Sequence, residues 1–434
     1  MKLLLCAEFF HPSVGGVQEV VRQLAIRMVE AGHDVTVATS FLATRESDSY
    51  RGIHIRSFDI SGNQVNGMSG DVAIYQKFLL ESDFNLLFVY AAQQWTFDAL
   101  WEILPALQMR KVLVPCGYSG LMNPAYRGYF ERLPSILGQF DALVYHAQDY
   151  RDYKFGQQHG LERVAVVIPN GADDREFSVM PDPGFRKRQE IPEHAITILT
   201  VGTLNGAKGH LEVASAFRKI DLKERSAVLL LNGNRMPNQP SSSTLGYRIN
   251  RFIRYSRTNN PVRVAKTVAR IILSLAGIKF GYFAELEKCL RHINKRSDRR
   301  VIQCDLNRDD LIQAYLAADL FVFASNIEYS PLVLYEACAA GLPFLSVSVG
   351  NAREISLWTS GGEVIDVDPD KEGMIKVSPE RLAENIERLL IDHARLRALG
   401  KAGREAWQSR FNWEGLASEY LHLFQRLCTE GKHA

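Results

Sequence analysis

The chain has 434 residues, enough for two or three domains, each with its own core. Its 51 basic and 49 acidic side chains nearly balance, which excludes the broad positive field of a nucleic-acid binder. The six cysteines show no C-x-x-C pairing and fit reduced thiols in a cytosolic protein, and no apolar run approaches the ~20 residues of a membrane span.

The opening Met1–Ala7 is broken by Glu8, too soon for a signal peptide, and Leu3–Ala7 reads as the first strand. After a Gly-bearing loop, Val17, Val20, Val21, Leu24, Ala25 and Met28 recur at helical spacing, and Gly32 ends that helix. Strands are expected at Val35–Ala38, Ile53–Arg56, Leu86–Tyr90, Val112–Pro115, Ala142–Tyr145 and Val164–Ile168. Alternating strands and helices imply a parallel, doubly wound α/β sheet. Asp182-Pro-Gly184 and the polar Arg186–Glu190 read as a linker. A second series then runs through Ile196–Val201, Val228–Leu231, Val301–Cys304, Leu320–Ala324 and Pro343–Val347. The restart predicts two Rossmann-like domains, 1–182 and 183–409, facing one another across a cleft. Trp407, Phe411, Trp413, Tyr420 and Phe424 pattern as anchors of C-terminal helices.

An insertion at about 235–300 interrupts the second series. From Tyr247 to Arg300, fourteen Lys or Arg stand against three acidic residues. Val262–Leu275 mixes an apolar stripe with Arg263, Lys266 and Arg270, a pattern that fits a helix lying on anionic lipid. A helix packed on the domain with its basic face in solvent fits equally well.

The most informative stretch is Ser325-Asn-Ile-Glu-Tyr-Ser-Pro-Leu-Val-Leu-Tyr-Glu-Ala-Cys-Ala-Ala-Gly-Leu-Pro343. It follows a buried strand, Pro331 suits a first helical position, and Gly341 with Pro343 supplies a stop. Glu328 then lies in the loop at the strand's carboxyl end and Glu336 on the first turns of the helix. Both can reach the crevice where open α/β sheets bind ligands. Ionised carboxylates there suit the hydroxyls of a sugar. Lys208, in Val201-Gly-Thr-Leu-Asn-Gly-Ala-Lys-Gly209, is the candidate cation for a departing diphosphate, and Gly15 and Gly16 allow close backbone approach before a helix.

The 325–343 string resembles the E-x7-E motif of retaining GT-B glycosyltransferases of family 4. Phe10-His-Pro-Ser-Val-Gly-Gly16, Ala31-Gly-His-Asp-Val-Thr-Val37, Val167-Ile-Pro-Asn-Gly-Ala-Asp173, Val201–Gly209 and Val349-Gly-Asn-Ala-Arg-Glu354 repeat the resemblance in order. It implies a GT-B fold in which 410–434 crosses back onto the N-terminal domain. It implies a retaining hexosyltransferase that moves a hexose from a UDP- or GDP-sugar to a saccharide or lipid-linked saccharide. Cell-surface polysaccharide such as lipopolysaccharide would be the product, made in the cytoplasm or on the inner face of the membrane. The rivals are a non-catalytic nucleotide-sugar-binding subunit and a nucleotide-sugar epimerase.

By the same resemblance Glu336 would hold the donor ribose and Glu328 the transferred sugar. Gly15, Gly16, Gly202, Thr203, Lys208, Tyr329, Ser330, Leu332 and Val333 would complete the donor site. Thr203 stands where relatives often carry an Arg, so Arg353 is nominated as the second cation. Cys116 stands where many carry a His, which leaves Cys116, Tyr118 and His146 as the acceptor-side candidates. No D-x-D or H-x3-H spacing suggests a metal, and no cofactor is expected.

Overall fold

The computed structural model describes residues 1–223, 225–233 and 281–430. The expected lipid-surface helix at Val262–Leu275 falls outside the described residues.

In β1 (Lys2–Cys6), Leu3, Leu4, Leu5 and Cys6 are all fully buried. Successive side chains of a strand point to opposite faces, so Leu3 and Leu5 enter one apolar layer while Leu4 and Cys6 enter the other. Burial on both faces is what a parallel sheet covered by helices requires. From β1 the sheet runs through β2 (Asp34–Ser40) and β4 (Ile53–Phe58) to the short antiparallel β3 (Ser49–Tyr50). On the other side lie β7 (Leu86–Tyr90), β8 (Arg110–Val114), β9 (Ala142–Tyr145) and β10 (Ala165–Val167), all parallel. A hairpin of β5 (Ile60–Asn63) and β6 (Gly67–Gly70) stands apart.

The second domain carries a wholly parallel sheet of β11 (Ile196–Val201), β12 (Ala227–Asn232), β13 (Arg299–Cys304), β14 (Leu320–Phe323), β15 (Phe344–Val347) and β16 (Gly362–Ile365). Its order is β13-β12-β11-β14-β15-β16. The order reverses at β11 and β14, so the loops after these two strands open the crevice where such sheets take ligands.

The chain enters the second domain earlier than the expected boundary at 182. Ala172, Phe177 and Phe185 already belong to its core, because apolar side chains on both sides of the Pro-Gly turn pack under the sheet. The chain leaves again after Phe411. The Trp413–Glu430 helix packs beside the Gly16–Glu30 helix, with Trp413, Leu416, Tyr420 and Phe424 in the first domain's core. Tyr420 and Phe424 set their rings 5.7 and 5.6 Å from Phe88.

The two crossings touch. The Ala172 N–H donates to the Phe411 carbonyl at 3.0 Å, and Trp407 Nε1 donates to the Ala172 carbonyl at 3.1 Å. Gly171 makes this possible, since a Cβ there would lie 2.4 Å from the Phe411 oxygen. Beside the crossing, the buried Arg27 meets Asp174 at 2.6 Å and Asp173 at 3.4 Å, tying the first helix to the outgoing chain. Among the described residues no helix is long and apolar enough to cross a membrane.

Candidate active site

The loop Gly202–Gly209 joins β11 to the His210–Lys219 helix. Gly209 adopts φ 70°, and a Cβ there would collide with the Ala324 carbonyl, so the loop lies directly on the end of β14. The Asn326 N–H donates to the Ala207 carbonyl at 2.7 Å. This stitching brings Lys208 Nζ to 2.5 Å from Glu328 Oε1, an oxygen that also accepts from Ser325 Oγ at 2.8 Å. Gly202 lies against the Lys208 stem, where a Cβ would come within 3.1 Å of it. Thr203 contributes its carbonyl, which accepts from the Asn205 N–H.

The Leu332–Ala340 helix follows, with Pro331 as its N-cap residue. Leu332 reaches across and packs on the first domain's core, its Cδ1 4.0 Å from where Gly16 would carry a Cβ. The Gly15–Gly16 turn therefore faces the start of this helix. Val333 packs instead on the second domain's core. Glu336, 8 % exposed, accepts from the Tyr315 hydroxyl at Oε2 (3.0 Å) and pairs through Oε1 with Arg308 (2.7 Å). Each carboxylate of the motif is thus held by a cation from a different element, Glu328 by Lys208 and Glu336 by Arg308.

Between them, Tyr329 and Ser330 bridge the domains. The Tyr329 hydroxyl accepts from the His146 N–H at 3.0 Å, and its ring lies against Gly117 and 5.1 Å from the Tyr150 ring. The Tyr150 hydroxyl donates to the Glu328 carbonyl at 2.7 Å, and Asn170 Nδ2 donates to the Ser330 carbonyl at 3.2 Å. Asn351 Nδ2 donates to the His146 carbonyl, and the Gln148 N–H donates to Glu354. The carboxyl ends of both sheets therefore face each other and are joined along one edge of the cleft. Behind Tyr329 lies Asp152, whose carboxylate accepts from the Gly117 and Tyr153 N–H groups. Burial pushes its carboxyl up to about 6, against the pull of the Tyr329 hydroxyl.

The structure corrects several expectations. His146 is fully buried, with Nδ1 donating to the Ile168 carbonyl and Nε2 accepting from the Tyr90 hydroxyl. Burial pushes its pKa down to about 4, and neither nitrogen is left for an acceptor. Tyr118, 1 % exposed, packs between Phe130 and Phe155 and offers an acceptor no surface. Cys116 is half-buried in the left-handed region, φ 60°, and burial pushes its thiol up to about 12. Arg353 is half exposed and pairs with Asp366 at 2.6 Å. It rims a cavity of about 340 Å³ that Tyr150, Asn326, Glu328 and Gly350 also line. The Asn351 and Ala352 amides donate to the Tyr329 and Val349 carbonyls. Sequence reasoning missed Tyr150, Asp152, Arg308 and Tyr315. Each is distant in sequence from the group it serves, and no spacing marks it.

The family profile described as "Glycosyl transferases group 1" matches residues 182–406. The GDP-mannose-dependent alpha-(1-6)-phosphatidylinositol monomannoside mannosyltransferase of Mycobacterium tuberculosis is 22% identical over 445 aligned residues, covering 96% of both chains. Among solved structures, sucrose-phosphate synthase from Thermosynechococcus elongatus superposes with TM-score 0.68 at 17% identity, covering 99% of each chain. HepE from Anabaena, crystallised with UDP-glucose, gives TM-score 0.66 at 14% identity, over 98% of this chain and 100% of that one. The fold is GT-B.

Proposed function

The chain belongs to the glycosyl transferases group 1 family, and on that premise we propose a retaining hexosyltransferase of the family 4 type. Its donor is a UDP- or GDP-sugar, and its acceptor is a saccharide or lipid-linked saccharide in cell-surface polysaccharide assembly. The observation that carries this reading is the meeting of Lys208 with Glu328 at the crevice, with Glu336 on the next helix.

A nucleotide-sugar needs its ribose held, its diphosphate charge offset and its hexose oriented. Glu336 accepts hydrogen bonds from the ribose hydroxyls, and Glu328 accepts them from the hexose. Lys208 meets the diphosphate, where negative charge grows as the glycosidic bond breaks. Arg353, on the rim of the cavity that Glu328 lines, is the second cation of this scheme, and compensation is assigned to the two side chains without a metal. On the acceptor side His146 offers no free nitrogen, since both are bonded. This supports front-face attack in which a phosphate oxygen of the departing diphosphate takes the acceptor proton. The donor classes gain support from the relative named for GDP-mannose and the neighbour crystallised with UDP-glucose. The relative's name also specifies a phosphatidylinositol mannoside acceptor, in line with a lipid-linked acceptor here. The basic 247–300 stretch supplies charge suited to an anionic membrane surface on the cytoplasmic side.

Radiolabelled UDP-glucose and GDP-mannose, each supplied with lipid-linked saccharide acceptors, test the proposal. The expected product carries the donor's anomeric configuration, read by NMR. An inverted anomer overturns retention. Nucleotide binding without transfer to any acceptor favours the non-catalytic subunit.

A further inference from the structure

Arg308 opens the Arg308–Ala317 helix, behind a cap in which the Asn307 side chain accepts from the Asp310 N–H. Its guanidinium is divided between two carboxylates. One terminal nitrogen lies 2.7 Å from Glu336 Oε1, while Nε and the other terminal nitrogen reach Glu176 Oε2 at 2.9 and 2.5 Å. Phe177 lies beneath it, 5.9 Å from ring centroid to guanidinium. Glu176 belongs to the chain entering the second domain and also lies 3.8 Å from Arg22 on the first domain's helix. Tyr315, on the same helix as Arg308, holds the other oxygen of Glu336.

A carboxylate has about four lone-pair sites on its two oxygens. Arg308 and Tyr315 use one site on each oxygen, which fixes the plane of Glu336 and leaves a second site on each. That arrangement suits two adjacent hydroxyls. We infer that Arg308 is a positioning residue for the donor: it keeps the Glu336 carboxylate oriented to accept both hydroxyls of the ribose, and through Glu176 it references that orientation to the interdomain crossing. The inference rests on the ribose role proposed for Glu336. Arg308 touches Glu336 rather than the nucleotide, so its loss is felt as a loss of discrimination at the ribose.

The test titrates UDP, GDP and ADP, each against its 2′-deoxy form, into the full chain by calorimetry, with melting curves run alongside. For the diphosphate that binds, wild type should prefer the ribose form by about tenfold, the scale of one hydrogen bond to a charged group. Arg308→Met keeps the aliphatic stem. It should weaken the ribose form by about tenfold and bring the two forms to equal affinity. Arg308→Lys should restore part of the preference. Should Arg308→Met fail to fold, Tyr315→Phe removes one hydroxyl from the same carboxylate and should also narrow the preference. A preference that persists in folded Arg308→Met, or in Tyr315→Phe when Arg308→Met does not fold, overturns the positioning role while leaving the ribose assignment intact. No preference in wild type, or no binding of any diphosphate, overturns the ribose assignment and this inference with it.

Discussion

Replacing the Glu328 carboxylate by an amide separates the two tasks of the Lys208–Glu328 pair. The groups lie 2.5 Å apart with side chains 27 % and 15 % exposed, so solvent screens the pair only in part. At an effective dielectric of ~20 the gross attraction is on the order of 5 kcal/mol, but desolvation and residual screening reduce the net to ~1–2 kcal/mol. A nucleoside diphosphate that recruits Lys208 is opposed by this amount. Removing the charge at 328 should therefore tighten binding of the free diphosphate by roughly five- to thirtyfold. The nucleotide-sugar should bind about as before or more weakly, because the amide no longer offers its hexose a charged acceptor worth ~1.5–3 kcal/mol. The affinity ratio of sugar-bearing to bare nucleotide should thus fall by about one to two orders of magnitude. Titration calorimetry of Glu328→Gln with UDP and UDP-glucose, and with GDP and GDP-mannose, reads both terms. Adding Lys208→Met should abolish the gain, since no competition is then left to relieve. Unchanged or weaker diphosphate binding in folded Glu328→Gln would refute the argument that the pair competes with the donor.

Lys208→Ala should lower kcat by about 10²–10³ while KM for the donor moves only a few-fold, because its ground-state contact with phosphate is offset by the loss of its pairing with Glu328. Steady-state kinetics with equal losses in kcat and binding would contradict that. Gly171→Ala should destabilise the chain by ~1–3 kcal/mol by overpacking against the Phe411 carbonyl, and an unchanged denaturation midpoint would show that the crossing is not tight. Asp152 supplies a pH test. Its folded pKa of about 6 lies above the ordinary 3.8, so its contribution is fully present below 3.8 and is lost as pH rises through 6. Asp152→Asn does not titrate, so the stability of the variant relative to wild type should climb between pH 4 and 6 and level off above. A flat difference across that window would show that the burial of Asp152 does not shift it.

The sheets were legible because aliphatic runs such as Leu86–Tyr90 and Ala227–Asn232 are buried on both faces and leave little room for another reading. β16 escaped notice because it opens on Gly362, which owes its place to the Phe344 ring pressed against it rather than to strand propensity. Glu328, Glu336 and Lys208 stood out in local strings, and the loop-on-strand contact at Gly209 and Ala324 then brought Lys208 and Glu328 together. The acceptor side misled for the opposite reason. His146 and Tyr118 look reactive by type, yet their roles follow from burial, which emerges only once Tyr90, Ile168, Phe130 and Phe155 surround them. Arg308 was silent because its partners Glu176 and Glu336 come from both sides of it in the chain and meet only in the folded domain.

The same geometry bears on where the acceptor proton goes. Retention by a protein base on the acceptor side would need an imidazole or carboxylate that titrates near neutrality and faces the cleft. His146 is neutral but bonded at both nitrogens, and Cys116 stays a thiol until about 12. Asp152 has a suitable pKa, yet it is fully buried and occupied by the Gly117 and Tyr153 amides. Glu328 faces the crevice but is paired with Lys208. In the proposed scheme the diphosphate would draw Lys208 away and that carboxylate would be engaged by the hexose hydroxyls. In that scheme the base lying beside the anomeric carbon would be the departing phosphate itself, whose charge rises as the bond to the sugar lengthens. Lys208 would stabilise that charge, and a proton arriving from the acceptor would neutralise part of it in the same step.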